Sequence, residues 1–387
     1  MASKPNSIHF SYVFVAMGTL LTSSFLDNLR GPLLPLMAKE FSISYTESGG
    51  LLVAAHIAAA ITTLLMVPIF RHYSDRFIVF AVSFFALLVC FLPQALSSFT
   101  MIQLWSVGIG IIMSIMGTLC NVLMVHGLPS SLLSRGMSAL HAMYGLGSMV
   151  APITLTFILG QGFGWRSTLA VPALACLGLA VASIYLSTET GKDRQRALKT
   201  QGNEKHSAFE LRMLIPPIVF SLYVVGEVLT SMWMTSYLNK ELNLSLEDSA
   251  SYMSWFFLVL LSTRLLSVVF ATPRVEKTLL VSSMVFSALS FTLGLLGWLP
   301  GFIFAGLLGP FYPLYMARVT QDFPHASRFV TVLIIMAIQL SLAASHGLFG
   351  LLSDSMGIRF AYFIPPVALT LAMLGSLYPL SSEQNAR

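Results

Sequence analysis

Long apolar runs dominate the chain, and they constrain its fold more than any other feature. Each run is about twenty residues long or longer, which is the length of helix that crosses a bilayer. A transmembrane β-barrel would instead show strands of about ten residues with alternating apolar and polar positions, and these runs do not alternate. Twelve runs are present, at approximately 10–37, 48–70, 77–96, 101–127, 136–162, 166–187, 213–238, 250–271, 279–297, 301–320, 328–352 and 360–380.

The low charge content excludes a water-soluble protein of this size. Charged residues make up 10% of the 387 positions, whereas an ordinary soluble domain carries about 25%. We therefore predict an all-α polytopic membrane protein with twelve transmembrane helices. The first run contains Asp27, Asn28 and Arg30 and lacks a small-residue cleavage site, so we interpret it as an uncleaved span.

The distribution of basic residues predicts the orientation. With the amino terminus in the cytoplasm, fifteen of the 21 Lys and Arg residues lie on the cytoplasmic side, four lie outside, and Arg30 and Arg264 fall within spans. The positive-inside rule then places both termini in the cytoplasm, and we expect a multi-pass protein of the cell inner membrane.

Charged patterns repeat along the chain, and they divide the twelve predicted spans into two sets of six. Three patterns in the first half recur in order in the second: Lys39-Glu40-Phe41 as Lys240-Glu241-Leu242, Asp75-Arg76 as Glu276-Lys277, and Gly164-Trp165-Arg166 as Gly357-Ile358-Arg359. The first two recur after 201 residues and the third after 193. We predict two pseudo-symmetric six-helix bundles, 1–187 and 213–387, joined by a cytoplasmic linker at 188–212. This organisation is typical of solute carriers with a central site between the halves.

Four ionisable residues lie within the predicted spans. They are Asp27, Arg30, Glu227 and Arg264. A charge at the bilayer centre costs at least about 2.5–3.5 kcal/mol, so each residue is a candidate for proton coupling or substrate binding. A carboxylate removed from water can exchange protons near neutral pH. Structural or gating ion pairs are the alternative.

Polar and aromatic residues in the spans form a second group of candidates. Such a mixture suits a sugar, because amides bind hydroxyls and an aromatic face packs on the ring. The candidates for substrate binding are Asn28, Asn121, His141, Tyr144, Trp233, Tyr237, Gln339 and His346. Hydrogen bonds between helices are the alternative for the two histidines. Pro32 and Pro35 remove backbone donors, so we also expect local unwinding of the first helix.

Charged loop residues are candidates for gating. Asp75, Arg76, Glu276 and Lys277 follow the second and eighth spans at the predicted cytoplasmic side. Such charges can hold neighbouring helices together when that side is shut. Surface anchoring is the alternative.

The motifs of other functional classes do not occur in the sequence. An enzyme would need a nucleophile with a base, a metal cluster or a phosphate-binding loop, and we predict that the protein is not an enzyme. Cys90, Cys120 and Cys176 lie in apolar runs without metal-ligand spacing, so we expect neither a metal nor a cofactor. The expected partners are a small-molecule substrate and the lipid bilayer, without nucleic acid, and the expected state is a monomer. The proton motive force is the predicted energy source, with sodium as the alternative.

The twelve spans, the duplicated halves and the charged Asp75-Arg76 loop resemble the major facilitator superfamily. Within it, several stretches are similar to the fucose–galactose–glucose proton symporter group: Asn121, His141–Pro152, Tyr223–Glu227 with Trp233 and Tyr237, and Gly347–Asp354. This resemblance implies proton coupling by an acidic residue of the first helix and sugar recognition by polar residues of the fourth. It assigns these roles to Asp27 and Asn121.

We therefore predict a secondary active transporter that moves a small polar solute by alternating access with proton coupling. A sugar-like solute is favoured. An organic-anion carrier is one alternative, because Arg30 and Arg264 could complement a carboxylate or phosphate. A drug or metabolite efflux antiporter is the other, with methionine and aromatic residues as an adaptable lining.

Overall fold

The protein was analysed as a computed structural model that describes residues 7–190, 210–270, 275–323 and 326–378. These residues contain twelve helices long and apolar enough to cross a membrane. Helices α1 to α6 are Phe10–Phe41, Tyr45–His72, Asp75–Ala95, Phe99–Gly127, Ser131–Gly160 and Trp165–Tyr185. Helices α7 to α12 are Leu211–Lys240, Leu246–Ser267, Glu276–Leu295, Pro300–Asp322, Phe329–Met356 and Ile358–Ser376. The same residues form no strand beyond an isolated bridge between Ser74 and Thr190.

The predicted all-α membrane fold with twelve spans is confirmed, but the predicted break in the first helix is wrong. Helix α1 runs without interruption from Phe10 to Phe41 with Pro32 and Pro35 inside it. Each proline removes one backbone donor. The surrounding turns are packed, because Leu29, Leu33 and other apolar side chains of α1 are buried, and tertiary packing rather than propensity supplies most of the stability of a helix.

The chain forms two compact units. One contains the described residues of Met1–Leu36 and Ala54–Glu204, and the other contains those of Met37–Val53 and Lys205–Arg387. The end of α1 and the start of α2 thus belong to the unit that holds α7 to α12, whereas the sequence analysis assigned them to the first half. Most of the predicted linker at 188–212 lies outside the described residues.

Contacts inside the second unit explain why the start of α2 belongs to it. The carboxylate of Asp354, at the end of α11, accepts hydrogen bonds from the backbone N–H groups of Tyr45 (3.0 Å) and Thr46 (2.7 Å). It therefore caps the amino terminus of α2, where unpaired donors and the helix dipole favour a negative charge. One turn earlier, a Cβ built on Gly350 would lie 2.5 Å from the carbonyl oxygen of Tyr45, so only glycine permits this approach of α11 to α2.

The predicted repeat reappears in the local geometry of two helix starts. Ser44 and Glu47 form a capping box at α2, with the Ser44 N–H donating to Glu47 Oε2 (2.8 Å) and the Glu47 N–H donating to Ser44 Oγ (3.2 Å). Ser245 and Asp248 lie 201 residues later at α8, where Asp248 N–H donates to Ser245 Oγ (3.0 Å). The preceding turns also match, because Ser42 and Asn243 have positive φ angles of 52° and 55°. The two helix starts therefore share a serine–acid pair and the turn that precedes it.

Candidate functional site

One polar cluster lies inside the spans of the first unit, and we call it the Asp27 cluster. It consists of Asp27 and Arg30 on α1 and Tyr144 on α5. Arg30 Nη2 forms an ion pair with Asp27 Oδ1, and Arg30 Nε donates to the backbone oxygen of Asp27 at 3.2 Å. The Tyr144 hydroxyl donates to Asp27 Oδ2 at 3.3 Å. Both carboxylate oxygens of Asp27 therefore have partners, and the acid and base lie one turn apart on the same helix.

Close packing of α1 against α5 holds this cluster in place. Asn28 Nδ2 donates to the hydroxyl of Ser148 on α5 (2.9 Å) and to the backbone oxygen of Ser24 (3.0 Å). A Cβ built on Gly147 would lie 2.5 Å from the carbonyl oxygen of Leu21, so the two backbones approach too closely for any larger residue. Asn28 was predicted to bind substrate, but its side chain is buried and its amide joins two helices.

A second polar cluster, the Glu227 cluster, lies inside the spans of the second unit. Arg264 of α8 faces Glu227 of α7, with 3.7 Å between Arg264 Nη2 and Glu227 Oε2. The same nitrogen donates to the Tyr223 hydroxyl (3.4 Å), and Arg264 Nε donates to the backbone oxygen of Gly309 on α10 (3.3 Å). The guanidinium carbon lies 5.7 Å from the ring centre of Tyr312, within range of a cation–π interaction. Arg264 thus joins α7, α8 and α10.

The backbone of α10 approaches Arg264 closely because residue 309 is glycine. A Cβ at this position would lie 2.5 Å from Thr263 Oγ1 and 3.1 Å from the backbone nitrogen of Arg264. Both charged residues of this cluster were predicted to be functional, whereas Tyr223 was noted only as part of a family-like stretch and Tyr312 was not noted. Tyr223 lies four residues before Glu227, so helical spacing could have identified it. Tyr312 lies on a helix whose sequence gives no comparable signal.

Trp233 and Tyr237 were predicted to offer a ring face to a solute, and in the structure both rings pack against other side chains. Both are at most 1% exposed. Trp233 stacks on Phe349 with 4.5 Å between ring centroids, and Tyr237 stacks on Tyr362 at 4.7 Å. Trp233 Nε1 also donates to Nδ1 of His346 (3.1 Å). These residues form an aromatic core of the second unit, and their ring faces are occupied by other side chains.

The remaining predicted solute ligands are Asn121, His141 and Gln339. Asn121 of α4 donates from Nδ2 to the backbone oxygen of Gly117 (2.8 Å), a bond within its own helix. His141 of α5 and Gln339 of α11 are partly exposed, and both have interactions with other groups. His141 lies one helical turn before Tyr144, on the helix that contributes to the Asp27 cluster.

The predicted gating residues of the first unit bind within that unit. Arg76 donates to the backbone oxygens of Ile184 (2.6 Å) and Leu186 (3.0 Å), at the carboxyl end of α6. Asp75 is buried, and its Oδ2 lies 2.9 Å from Nδ1 of His126 on α4. These bonds agree with the alternative interpretation, in which the charged residues anchor the helix ends. Their repeats Glu276 and Lys277 begin α9, where Lys277 is exposed. Gating by these four residues stays a prediction.

An apolar cavity of about 240 Å³ lies among α8, α9 and α10 of the second unit. Its described lining includes Thr263, Phe286, Leu307 and Pro310 and no charged side chain. A charged solute would lose its interactions with water there without gaining a counter-charge from these residues. Among the described residues, no three His, Cys, Asp or Glu side chains are grouped so as to hold a metal ion. The Asp27 and Glu227 clusters are therefore the candidate functional sites.

Solved structures of transporters share this fold along nearly their whole length. A D-xylose–proton symporter superimposes with a TM-score of 0.78 at 15% identity, covering 98% of this chain and 100% of the other. A variant of the nucleoside transporter NupG gives 0.76 at 13% identity, with 95% and 99% covered. The peptide transporter POT in complex with sulfate gives 0.73 at 12% identity, with 97% and 95% covered. At these identities the similarity shows the fold alone.

The family is shown by sequence. No curated protein matches the chain with significance. The sequence profile of the Major Facilitator Superfamily, in contrast, matches residues 14–346, which is most of the chain. Together with the twelve membrane helices, this match shows that the chain belongs to the Major Facilitator Superfamily of transporters.

Proposed function

We propose that the chain is a secondary active transporter that carries a small, hydroxyl-bearing solute across the cell inner membrane by alternating access, with proton coupling at Asp27. The observation that carries this proposal is the Asp27 cluster, an acid–base pair inside a membrane span with a tyrosine hydroxyl on the acid. Intramembrane ionisable groups mark substrate and proton pathways because their burial is costly. The similarity to a xylose–proton symporter supports a solute of this class.

Asp27 suits proton exchange better than Glu227. The Asp27 side chain is 17% exposed and its cation, Arg30, lies one turn away on the same helix. A proton can therefore bind Asp27 without separating two helices. Glu227 is 11% exposed, and its cation lies on another helix. Neutralising Glu227 would remove a bond between α7 and α8.

The orientation in the membrane is part of the proposal. The excess of Lys and Arg in alternate loops supports cytoplasmic termini. With this orientation, a proton gradient directed into the cell would drive uptake of the solute.

The Asp27→Asn variant tests the coupling in proteoliposomes. We expect it to lose accumulation driven by an inside-alkaline pH gradient but to keep exchange of labelled solute between the two sides, because asparagine resembles the protonated carboxyl group and so permits binding and alternation without carrying a proton. Glu241→Gln is the matched control, since it neutralises an exposed carboxylate beyond the end of α7. Unchanged accumulation by Asp27→Asn would disprove the role of Asp27.

A further inference from the structure

The Arg30 guanidinium has one nitrogen without an acceptor. Its side chain is 3% exposed. Nε and Nη2 both bind Asp27, but Nη1 is buried and has no hydrogen-bond partner among the described residues. An unsatisfied buried donor is costly, the more so on a charged group, and native proteins keep few of them. Such a donor inside a transport protein points to an acceptor supplied by a ligand.

Comparison with Arg264 supports this interpretation. Arg264 also lies in a span, with its side chain 13% exposed, but it contacts a backbone oxygen, a tyrosine hydroxyl, a carboxylate and an aromatic ring on two neighbouring helices. These contacts provide the Arg264 guanidinium with partners within the folded protein. Arg30 has only Asp27, from its own helix, and a guanidinium can bind two acceptor groups at once through its planar donors.

The charge balance indicates what kind of acceptor Arg30 would take. Asp27 and Arg30 sum to zero net charge when both are ionised. Tyr144 of α5 donates a neutral hydroxyl to Asp27 and adds no charge. When Asp27 binds one proton, it loses the negative charge that balances Arg30, and the pair then has a net charge of +1. A substrate with one negative charge restores neutrality.

We propose that Arg30 binds the carboxylate of the substrate through Nη1, and that the substrate is a small hydroxylated monocarboxylate carried together with one proton. This inference rests on the proposed proton-coupled transport. The proton binds a carboxylate oxygen of Asp27, which weakens its ion pair with Arg30, and the guanidinium then pairs with the incoming carboxylate. A phosphate ester with two charges would leave the site negative, so a monoanion fits better.

Matched pairs of sugars and sugar acids test the substrate class. Gluconate with glucose, and galactonate with galactose, have the same carbon chain and differ at C1, where the acid carries a carboxylate. We expect one acid to raise the unfolding midpoint of the detergent-solubilised protein and its neutral partner to leave it unchanged, because selective binding stabilises the native state. Binding of a neutral sugar, of glucose 6-phosphate alone, or of no acid in the set would overturn the proposal.

The electrical character of transport gives an independent test in wild-type proteoliposomes. A proton carried with a monocarboxylate moves no net charge. We therefore expect accumulation of the acid under an inside-alkaline pH gradient and none under an inside-negative potential imposed with potassium and valinomycin. Accumulation under the potential alone would show that transport moves net positive charge into the vesicle. This result would be compatible with proton coupling, but it would exclude the proposed transport of one proton with one monocarboxylate. Exchange without accumulation under either gradient would instead contradict the proposed coupling.

Variants of Arg30 assign the carboxylate to this residue. We expect Arg30→Gln to weaken binding of the acid by about 10–100-fold, the factor typical of a lost charge-assisted hydrogen bond, with a smaller loss for Arg30→Lys. Lys39→Gln is the control, because it removes an exposed positive charge from the same helix. The double variant Asp27→Asn with Arg30→Gln keeps the pair neutral and tests binding even if Arg30→Gln alone fails to fold. Unchanged binding in either Arg30→Gln background would refute the assignment.

Discussion

At the scale of single residues, the two acid–arginine pairs differ in what they hold together. Asp27 and Arg30 lie three residues apart on α1, so their ion pair ties no helix to another. Glu227 and Arg264 lie on α7 and α8, and Arg264 also reaches Gly309 on α10. The first pair can change protonation with little effect on packing. The second pair contributes to the structure of its unit.

This difference predicts a stability effect of Glu227→Gln. The change leaves the buried guanidinium of Arg264 without its counter-charge, and breaking a buried pair in this way costs about 3 kcal/mol. The remaining bonds to Tyr223 and Gly309 prevent a larger loss. The unfolding midpoint of the detergent-solubilised protein measures the effect, and Glu247→Gln, at an exposed carboxylate near the start of α8, should leave it unchanged. An unchanged midpoint for Glu227→Gln, combined with lost proton-driven accumulation, would transfer the coupling role to Glu227.

The charged members of both clusters could be predicted from sequence, but their surroundings could not. Asp27 and Glu227 are conspicuous because a charge in an apolar run has few explanations. Trp233 and Tyr237 are aromatic residues in a span, which fits both a ligand site and a core, and only their stacking on Phe349 and Tyr362 decides between these roles. The free nitrogen of Arg30 is likewise a property of three-dimensional packing.

At the scale of helices, the starts of α2 and α8 show how a repeated element acquires a distinct role. Both have a serine hydroxyl that accepts a bond from the backbone N–H of an acidic residue three positions later, and the two pairs lie 201 residues apart. Of these two helices, only α2 also donates backbone hydrogen bonds to the carboxylate of Asp354 at the end of α11. The repeated charged residues that precede these helix starts, Lys39-Glu40 and Lys240-Glu241, could be predicted from the sequence. The Asp354 cap could not, because that contact joins residues about 300 positions apart.

The cap predicts a modest effect of Asp354→Asn. Asparagine replaces one acceptor oxygen of Asp354 with an NH2 group, so one of the two bonds to the amino terminus of α2 is lost together with the charge interaction with the helix dipole. These interactions contribute about 1 kcal/mol at an exposed helix end. Thermal unfolding in detergent should show a small decrease in the midpoint. Ser355→Ala is the matched control, because the Ser355 hydroxyl bonds within its own helix to Leu351 (2.8 Å). Equal midpoints for the two variants would show that the Asp354 cap is not a stabilising contact.

At the scale of the whole chain, hydropathy determined the fold class, and the twelve helices begin and end within a few residues of the predicted runs. The continuity of α1 was missed because proline marks a lost hydrogen bond but does not show whether packing compensates for it. Hydropathy also does not tell which side of the membrane a loop occupies. That information is in the charges of the loops, which act during insertion.

The charge distribution therefore makes a prediction about topology that is independent of transport. With fifteen basic residues assigned to one side and four to the other, the carboxyl terminus should be cytoplasmic, as should the loop after α4, while the loop after α3 should lie outside. In a bacterial host, green fluorescent protein fused after Arg387 should be fluorescent and alkaline phosphatase at the same position inactive. Phosphatase fused after Ser97, between α3 and α4, should be active, and phosphatase fused after Leu128, between α4 and α5, should be inactive. The reverse pattern at all three positions would invert the orientation and reverse the direction in which a proton gradient drives the solute.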